Sequence, residues 1–170
     1  MVRLAPGVSS SPYKKLPATW FAEALGQLST VKLRVVLLGS PAEVLEGHAV
    51  GRLLALQARP PELLDLTGET TICEMVECLR RCDVVLSQDS AALHLATALH
   101  KPVVGIMAGA QFGRFYPWGD PALARVVNKP MECYGCNWHC IYDTLRCIQE
   151  IPPAAATIEL QSLIAGLQPA

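Results

Sequence analysis

The chain has 170 residues, the size of one ordinary domain, and with 51% apolar and 17% charged residues it can build a substantial core. Its formal net charge of −1, without a long basic run, speaks against nucleic acid as the main partner. No apolar stretch reaches the roughly 18 residues of a membrane span, and the apolar run at the N-terminus is too short for a signal peptide, so the expectation is a cytoplasmic protein without a transmembrane segment.

Val2-Arg3-Leu4-Ala5 predicts a first strand, closed by Pro6-Gly7. A Ser-rich loop leads past Lys14, Lys15 and Pro17 to Trp20, Phe21, Ala24, Leu25 and Leu28, which recur at helical spacing. Val35-Val36-Leu37-Leu38 reads as a buried strand ending at Gly39-Ser40, followed by a helix from about Pro41 to Ala58. Leu63-Leu64-Asp65-Leu66 is a shorter strand, ending at Thr67-Gly68. Thr70 or Thr71 then caps a helix that runs to about Arg81. Asp83 to Gln88 is a strand, Ala91 to His100 a mostly apolar helix, and Val103 to Met107 a further strand. Continuous apolar strands alternating with helices predict an α/β fold with a doubly wound parallel sheet.

The last third differs. Gly109 to Gly119 is a loop rich in Gly and aromatics, and Ala124-Arg125-Val126-Val127 reads as a short edge strand. A Cys-rich segment spans about 130–150. A break at Pro152-Pro153 and a final helix over about 157–167 complete a single domain of residues 1–170.

In open parallel sheets, ligands bind in the crevice at the carboxyl ends of the strands. The corner Asp89-Ser90, with His94 one helical turn on, falls at such an end. Asp or Ser there can simply cap a helix, at about 1 kcal/mol. However, Ser90, His94, Thr97 and Lys101 make one polar stripe on an apolar helix, and a helix N-terminus favours anions. Gly7 to Lys14, Gly39-Ser40 with Glu43, Gly68 to Thr71, and Gly109 to Arg114 follow the other strands. Gly and hydroxyl residues at successive strand ends suit close approach of backbone to a phosphorylated ligand. Arg114 is a phosphate candidate within an aromatic cluster that either stacks on a base or packs the loop. No dinucleotide fingerprint or P-loop is present.

Seven cysteines without an export signal do not read as a disulfide framework. Cys73, Cys78 and Cys82 lie on one predicted helix and read as small buried side chains. Cys133, Cys136, Cys140 and Cys147 are compatible with a local clasp of packed or paired thiols, a structural zinc or iron–sulfur site, or redox chemistry. The spacing lacks the second close pair usual in zinc ribbons, which favours the clasp.

Taken in order, Pro6-Gly7, Lys14-Lys15-Leu16-Pro17, Leu37-Leu38-Gly39, Asp65-Leu66-Thr67-Gly68, Asp89-Ser90-Ala91-Ala92-Leu93-His94 and His100-Lys101-Pro102-Val103-Val104-Gly105 form a specific set. This set resembles the C-terminal domain of glycosyltransferase family 9, the heptosyltransferase-like enzymes of lipopolysaccharide assembly. The resemblance implies one Rossmann-like half of a GT-B glycosyltransferase. This half would hold a nucleotide-diphosphate sugar, while an N-terminal domain supplies the glycan acceptor site and the catalytic base. It implies an inverting transfer that requires no cofactor, at the cytoplasmic side and peripheral to the inner membrane. It places Lys14 on donor phosphate, Glu43 (or Glu46) on the nucleoside, and Asp89, Ser90, Ala91 and His94 on the diphosphate and sugar, beside Gly109 and Arg114. No catalytic residue is expected in this chain. Ala91 stands where the family usually has Gly, and Leu16 where it usually has Trp. The alternative expectation is a non-catalytic nucleotide-sugar binding module or a Cys-site interaction domain.

Overall fold

The computed structural model describes residues 2–7, 13–28 and 32–167. The chain order is β1 (Val2–Gly7), α1 (Ala18–Gly26), β2 (Leu33–Leu37), α2 (Val44–Ala55), β3 (Glu62–Asp65), α3 (Ile72–Arg81), β4 (Val84–Gln88), α4 (Ala91–Ala98), β5 (Val103–Met107), β6 (Ala124–Asn128), α5 (Arg146–Gln149) and α6 (Pro153–Gly166). Single 3₁₀ turns at Pro41–Glu43 and Gly109–Gln111 follow β2 and β5.

The six strands form one sheet in the order β3-β2-β1-β4-β5-β6, and every pairing is parallel. This is the doubly wound Rossmann order, in which the winding reverses between β1 and β4. The parallel sheet is possible because both faces are covered. Side chains alternate across it with the two-residue period of a strand. Val35, Leu37, Val84, Leu86, Val104 and Ile106 point to the face covered by α1, α2 and α6. Val36, Leu38, Val85, Val103 and Met107 point to the face covered by α3 and α4. Phe21, Val85, Leu86 and Leu93 are fully buried; a side chain of this size stabilises the fold by about 1.5–3 kcal/mol when taken out of water.

The C-terminal helix is locked to α1 by two polar contacts inside the apolar layer. The Trp20 indole donates to the Ile151 carbonyl at 2.7 Å, and the Thr157 hydroxyl donates to the Ala24 carbonyl at 2.9 Å.

Several boundaries differ from the sequence expectation. The final helix starts at Pro153 rather than near residue 157: Pro152 is its N-cap and Pro153 its first residue. Proline lacks an N–H that this position does not need, so the pair starts the helix instead of breaking the chain before it. Helix α2 ends at Ala55, short of Ala58, and α4 ends at Ala98, with His100 in the left-handed region at φ 52°. Among the cysteines expected to be buried on α3, Cys73 is exposed and Cys82 alone is fully buried; α3 presents a single apolar face to the sheet, and Cys73 lies off it.

Candidate ligand site at the switch point of the sheet

The carboxyl ends of β1 and β4 flank the reversal of winding, where an open α/β sheet leaves a crevice. Lys14 comes from the connection after β1 and Asp89 from the corner after β4. Lys14 Nζ lies 2.5 Å from Asp89 Oδ2 and 3.5 Å from the Asp89 backbone carbonyl. The two side chains are 23% and 11% exposed, so the pair is sheltered but reachable.

The corner itself is built by the sheet. The Asp89 N–H donates to the Ile106 carbonyl on β5 at 3.2 Å. Ser90 is the N-cap residue of α4, with extended backbone, but its hydroxyl caps no helix N–H. It pairs with Ser87 Oγ at 3.0 Å instead. The capping role weighed from sequence is therefore not the one the side chain performs. The first-turn N–H groups of α4, beginning at Ala91, receive no side-chain acceptor from Ser90.

His94, one turn into α4, places Nε2 3.5 Å from Asp89 Oδ1. Its Nδ1 accepts a hydrogen bond from the Trp118 indole at 3.1 Å. The Trp118 ring lies nearly parallel to the imidazole, with centroids 6.1 Å apart and planes 10° apart, and Tyr116 meets the imidazole edge-on at 5.9 Å. Burial pushes the Tyr116 phenol above its usual range.

The expected polar stripe of α4 divides. Thr97 is buried and donates back to the Leu93 carbonyl at 2.9 Å, and Lys101 reaches the Arg80 carbonyl at 3.0 Å. Only Ser90 and His94 remain at the corner.

Glu43 is buried, and its Oε2 accepts from the Ser40 N–H at 2.6 Å in a reciprocal capping box. Glu46, the alternative weighed for its role, pairs with Lys15, which holds its carboxyl below the usual carboxylate range. The Asp65-Leu66-Thr67-Gly68 stretch is a tight turn: Asp65 Oδ1 accepts from the Thr67 N–H at 3.0 Å, and Gly68 takes φ 79°. Arg114 is exposed, with its guanidinium 5.2 Å from the Phe115 ring centroid. Among the described residues, no hydrogen bond or ion pair joins it to Lys14, Asp89 or His94. Gly109 is buried beneath Tyr134, whose ring occupies the space a Cβ would take, at 2.2 Å.

The Cys-rich segment packs directly on this region. The Gly135 N–H donates to the Gly109 carbonyl at 3.0 Å, and the Asn137 N–H to the Ala110 carbonyl at 3.0 Å. The Gln111 side chain donates to Asn137 Oδ1 at 2.9 Å. Left-handed backbone at Asn137 and Trp138 turns the chain back toward the site. Trp138 then lies 5.8 Å from Lys14 Nζ and 5.4 Å from the Tyr13 ring, centroid to centroid. Cys133, Cys136, Cys140 and Cys147 are free thiols. Desolvation, and after it the neighbouring Cys136, Cys140 and Cys147, push the Cys133 thiol up. No three of the described His, Cys, Asp or Glu side chains are close enough to share a metal ion.

Sequence reasoning singled out Lys14, Asp89, Ser90 and His94, and the structure brings these four together. It missed Tyr13 and Trp138, which approach from opposite ends of the chain. The aromatic cluster around Arg114 was the available signal for Trp118. Two cavities, of about 340 and 480 Å³, open at the other end of the sheet around Gly26, Gln57 and Arg59.

A model described as glycosyltransferase family 9 (heptosyltransferase) matches residues 1–139. The chain belongs to glycosyltransferase family 9. Lipopolysaccharide heptosyltransferase 2 of Escherichia coli K12 is 31% identical over 132 residues, which cover 75% of this chain and 36% of that protein. Among solved structures, E. coli ADP-heptose lipopolysaccharide heptosyltransferase II superposes with a TM-score of 0.75 at 22% identity, over 97% of this chain and 47% of that one. An iron-containing dodecameric glycosyltransferase of enterotoxigenic E. coli H10407 superposes with a TM-score of 0.71 at 19% identity, over 98% of this chain and 46% of that one. The chain thus spans about half or less of the length of these relatives. Its fold is one Rossmann-like half of a GT-B glycosyltransferase. Among the described residues, no helix is long and apolar enough to cross a membrane.

Proposed function

We propose that this chain is the donor-binding, C-terminal half of an inverting family 9 glycosyltransferase that moves a heptose-like sugar from a nucleoside-diphosphate donor to a lipopolysaccharide-core acceptor. The observation that carries this reading is the Lys14–Asp89 pair across the switch point, with His94 beside it and the first turn of α4 beneath it. Lys14 and the α4 N–H groups supply positive charge and donors where a diphosphate leaving group gathers negative charge. Asp89 holds Lys14 and faces His94, setting the position of both donors. Ala91, standing where the family usually has Gly, opens the turn whose backbone N–H groups would face a phosphate oxygen. Glu43, through the Ser40 turn, shapes the end of β2 where the nucleoside would lie.

The acceptor site and the catalytic base belong, in this reading, to an N-terminal domain, and the enzyme works at the cytoplasmic side of the inner membrane. The transfer itself needs no metal. We read the four cysteines as a packed clasp that holds the 130–150 segment against the Gly109 turn.

Titration calorimetry with ADP tests the reading. The chain is expected to bind ADP and to transfer no sugar alone, and to support transfer when joined to a family 9 N-terminal half. Absence of ADP binding, or sugar transfer by the 170 residues alone, overturns it. Metal analysis after purification in reductant tests the clasp; one equivalent of zinc or iron, lost on Cys136→Ser together with stability, refutes it.

A further inference from the structure

Trp118 does work at this site that the family motifs do not account for. Its indole N–H can only donate, and it donates to His94 Nδ1 at 3.1 Å. An Nδ1 engaged in this way carries no proton. The ring proton of the neutral imidazole therefore sits on Nε2, the nitrogen turned toward Asp89 Oδ1. At 3.5 Å that contact is too long to hold the Nε2–H firmly. Asp89 Oδ2 is already held by Lys14. The Trp118 plane lies within 10° of the imidazole plane, with centroids 6.1 Å apart, as an in-plane N–H donor requires, while Tyr116 closes the ring from its edge. The ring is thus fixed in plane and in tautomer from outside the Asp89 corner, by a side chain that is itself 42% exposed.

We propose that Trp118 is a positioning residue for His94: it fixes the imidazole as the Nε2–H tautomer, so that the group presented beside Asp89 is a hydrogen-bond donor to an anionic ligand oxygen. The tautomer claim stands on the contact alone. The donor claim rests on the proposed diphosphate site. Trp118 touches no ligand in this account; it acts through His94.

Nitrogen NMR of the histidine-labelled chain tests the first claim without any ligand. The wild-type His94 is expected to show an unprotonated Nδ1 and a protonated Nε2. Trp118→Phe keeps an aromatic ring beside the imidazole and removes the N–H, so the two nitrogen signals should move toward each other as both tautomers are populated. Trp118→Leu removes the ring as well and should do the same. Calorimetry with ADP tests the second claim: both variants should bind about three- to tenfold more weakly, as expected for partial loss of one hydrogen bond to a charged group. A Trp118→Phe chain with wild-type nitrogen signals and wild-type affinity overturns the proposal, since ring packing alone would then suffice. If the nitrogen signals shift but no chain binds ADP, the diphosphate reading of the site fails and the tautomer assignment stands. The exposure of Trp118 keeps these variants clear of the core.

Discussion

Lys14 and Asp89, 75 residues apart, meet with Nζ 2.5 Å from Oδ2 across the line where the sheet reverses its winding. The pair ties the loop after β1 to the corner after β4 and leaves a compensated charge at the mouth of the crevice. An arriving diphosphate meets a Lys14 that Asp89 holds in place, and gains the α4 N–H groups that Ser90 leaves uncapped. Lys14→Ala should therefore weaken ADP binding about ten- to a hundredfold, the scale of one hydrogen bond to a charged group. Asp89→Ala should weaken it less, about three- to tenfold, because Asp89 sets the position of Lys14 rather than meeting the anion itself. Calorimetry with each variant, checked by thermal melting, decides. Unchanged affinity in Lys14→Ala would show that the site lies elsewhere.

The cost of crowding Gly109 is set by Tyr134. A Cβ at residue 109 would fall 2.2 Å from the Tyr134 ring, far inside van der Waals contact. Tyr134 cannot simply swing away, because its hydroxyl donates to the Lys129 carbonyl at 2.5 Å and accepts from the Asn128 side chain. Gly109→Ala should destabilise the chain by about 1–3 kcal/mol, as overpacking does. It should also loosen Trp138, which the same segment holds against Tyr13 and Lys14. Tryptophan fluorescence and a denaturant melt report the two effects; a variant as stable as wild type with unchanged emission would show that the turn gives way freely.

The fold was legible because its strands are nearly unbroken apolar runs, such as Val35 to Leu38 and Val84 to Leu86, which only a sheet covered on both faces can bury. The corner at Asp89 was legible because its residues are close in sequence. Lys14 was reached only through the ordered family motifs, since nothing local in Lys14-Lys15 says which amine turns inward; Lys15 pairs with Glu46 instead. Trp138 was not legible: its role depends on left-handed backbone at Asn137 and Trp138 and on contacts with the turn at Gly109 and with Tyr13. The start of α6 was misread because Pro-Pro marks a helix start as readily as a break. The placement of Glu43 was a matter of burial: a carboxylate one turn past Gly39-Ser40 is equally suited to a ligand and to the Ser40 N–H, and here it holds the latter.

Trp20 links the first and last helices through a single polar atom. Its indole N–H is the partner of the buried Ile151 carbonyl, just before the proline pair that opens α6. Trp20→Phe keeps most of the ring volume, including the edge-on contact with Phe21 at 5.3 Å. It leaves the carbonyl without that donor, and a buried acceptor so orphaned costs about 1–3 kcal/mol. Hydrogen exchange should rise in the first turn of α6 before it rises in the sheet. A loss of stability spread evenly over the chain, with no early opening of α6, would show that ring packing rather than the hydrogen bond is what Trp20 contributes.

Glu150 makes the segment after the cysteines sensitive to acid. Arg146 first, through an Nε–Oε1 hydrogen bond of 2.8 Å, and Lys129 second hold its carboxyl down from 4.5 to about 2. A carboxylate whose folded value is depressed favours the fold fully above its ordinary value and loses that contribution as pH falls through the folded one. The window here runs from about pH 4.5 down to about pH 2. The group is exposed, so added salt should screen the effect and raise the midpoint. Carbon NMR of the Glu150 carboxyl should give a midpoint near 2 at low salt. Arg146→Leu should raise it further toward 4.5 than Lys129→Leu does, because the Arg146 hydrogen bond is the larger cause. A midpoint already near 4.5 in the wild-type chain, or a greater rise in Lys129→Leu, would refute this account of the cluster.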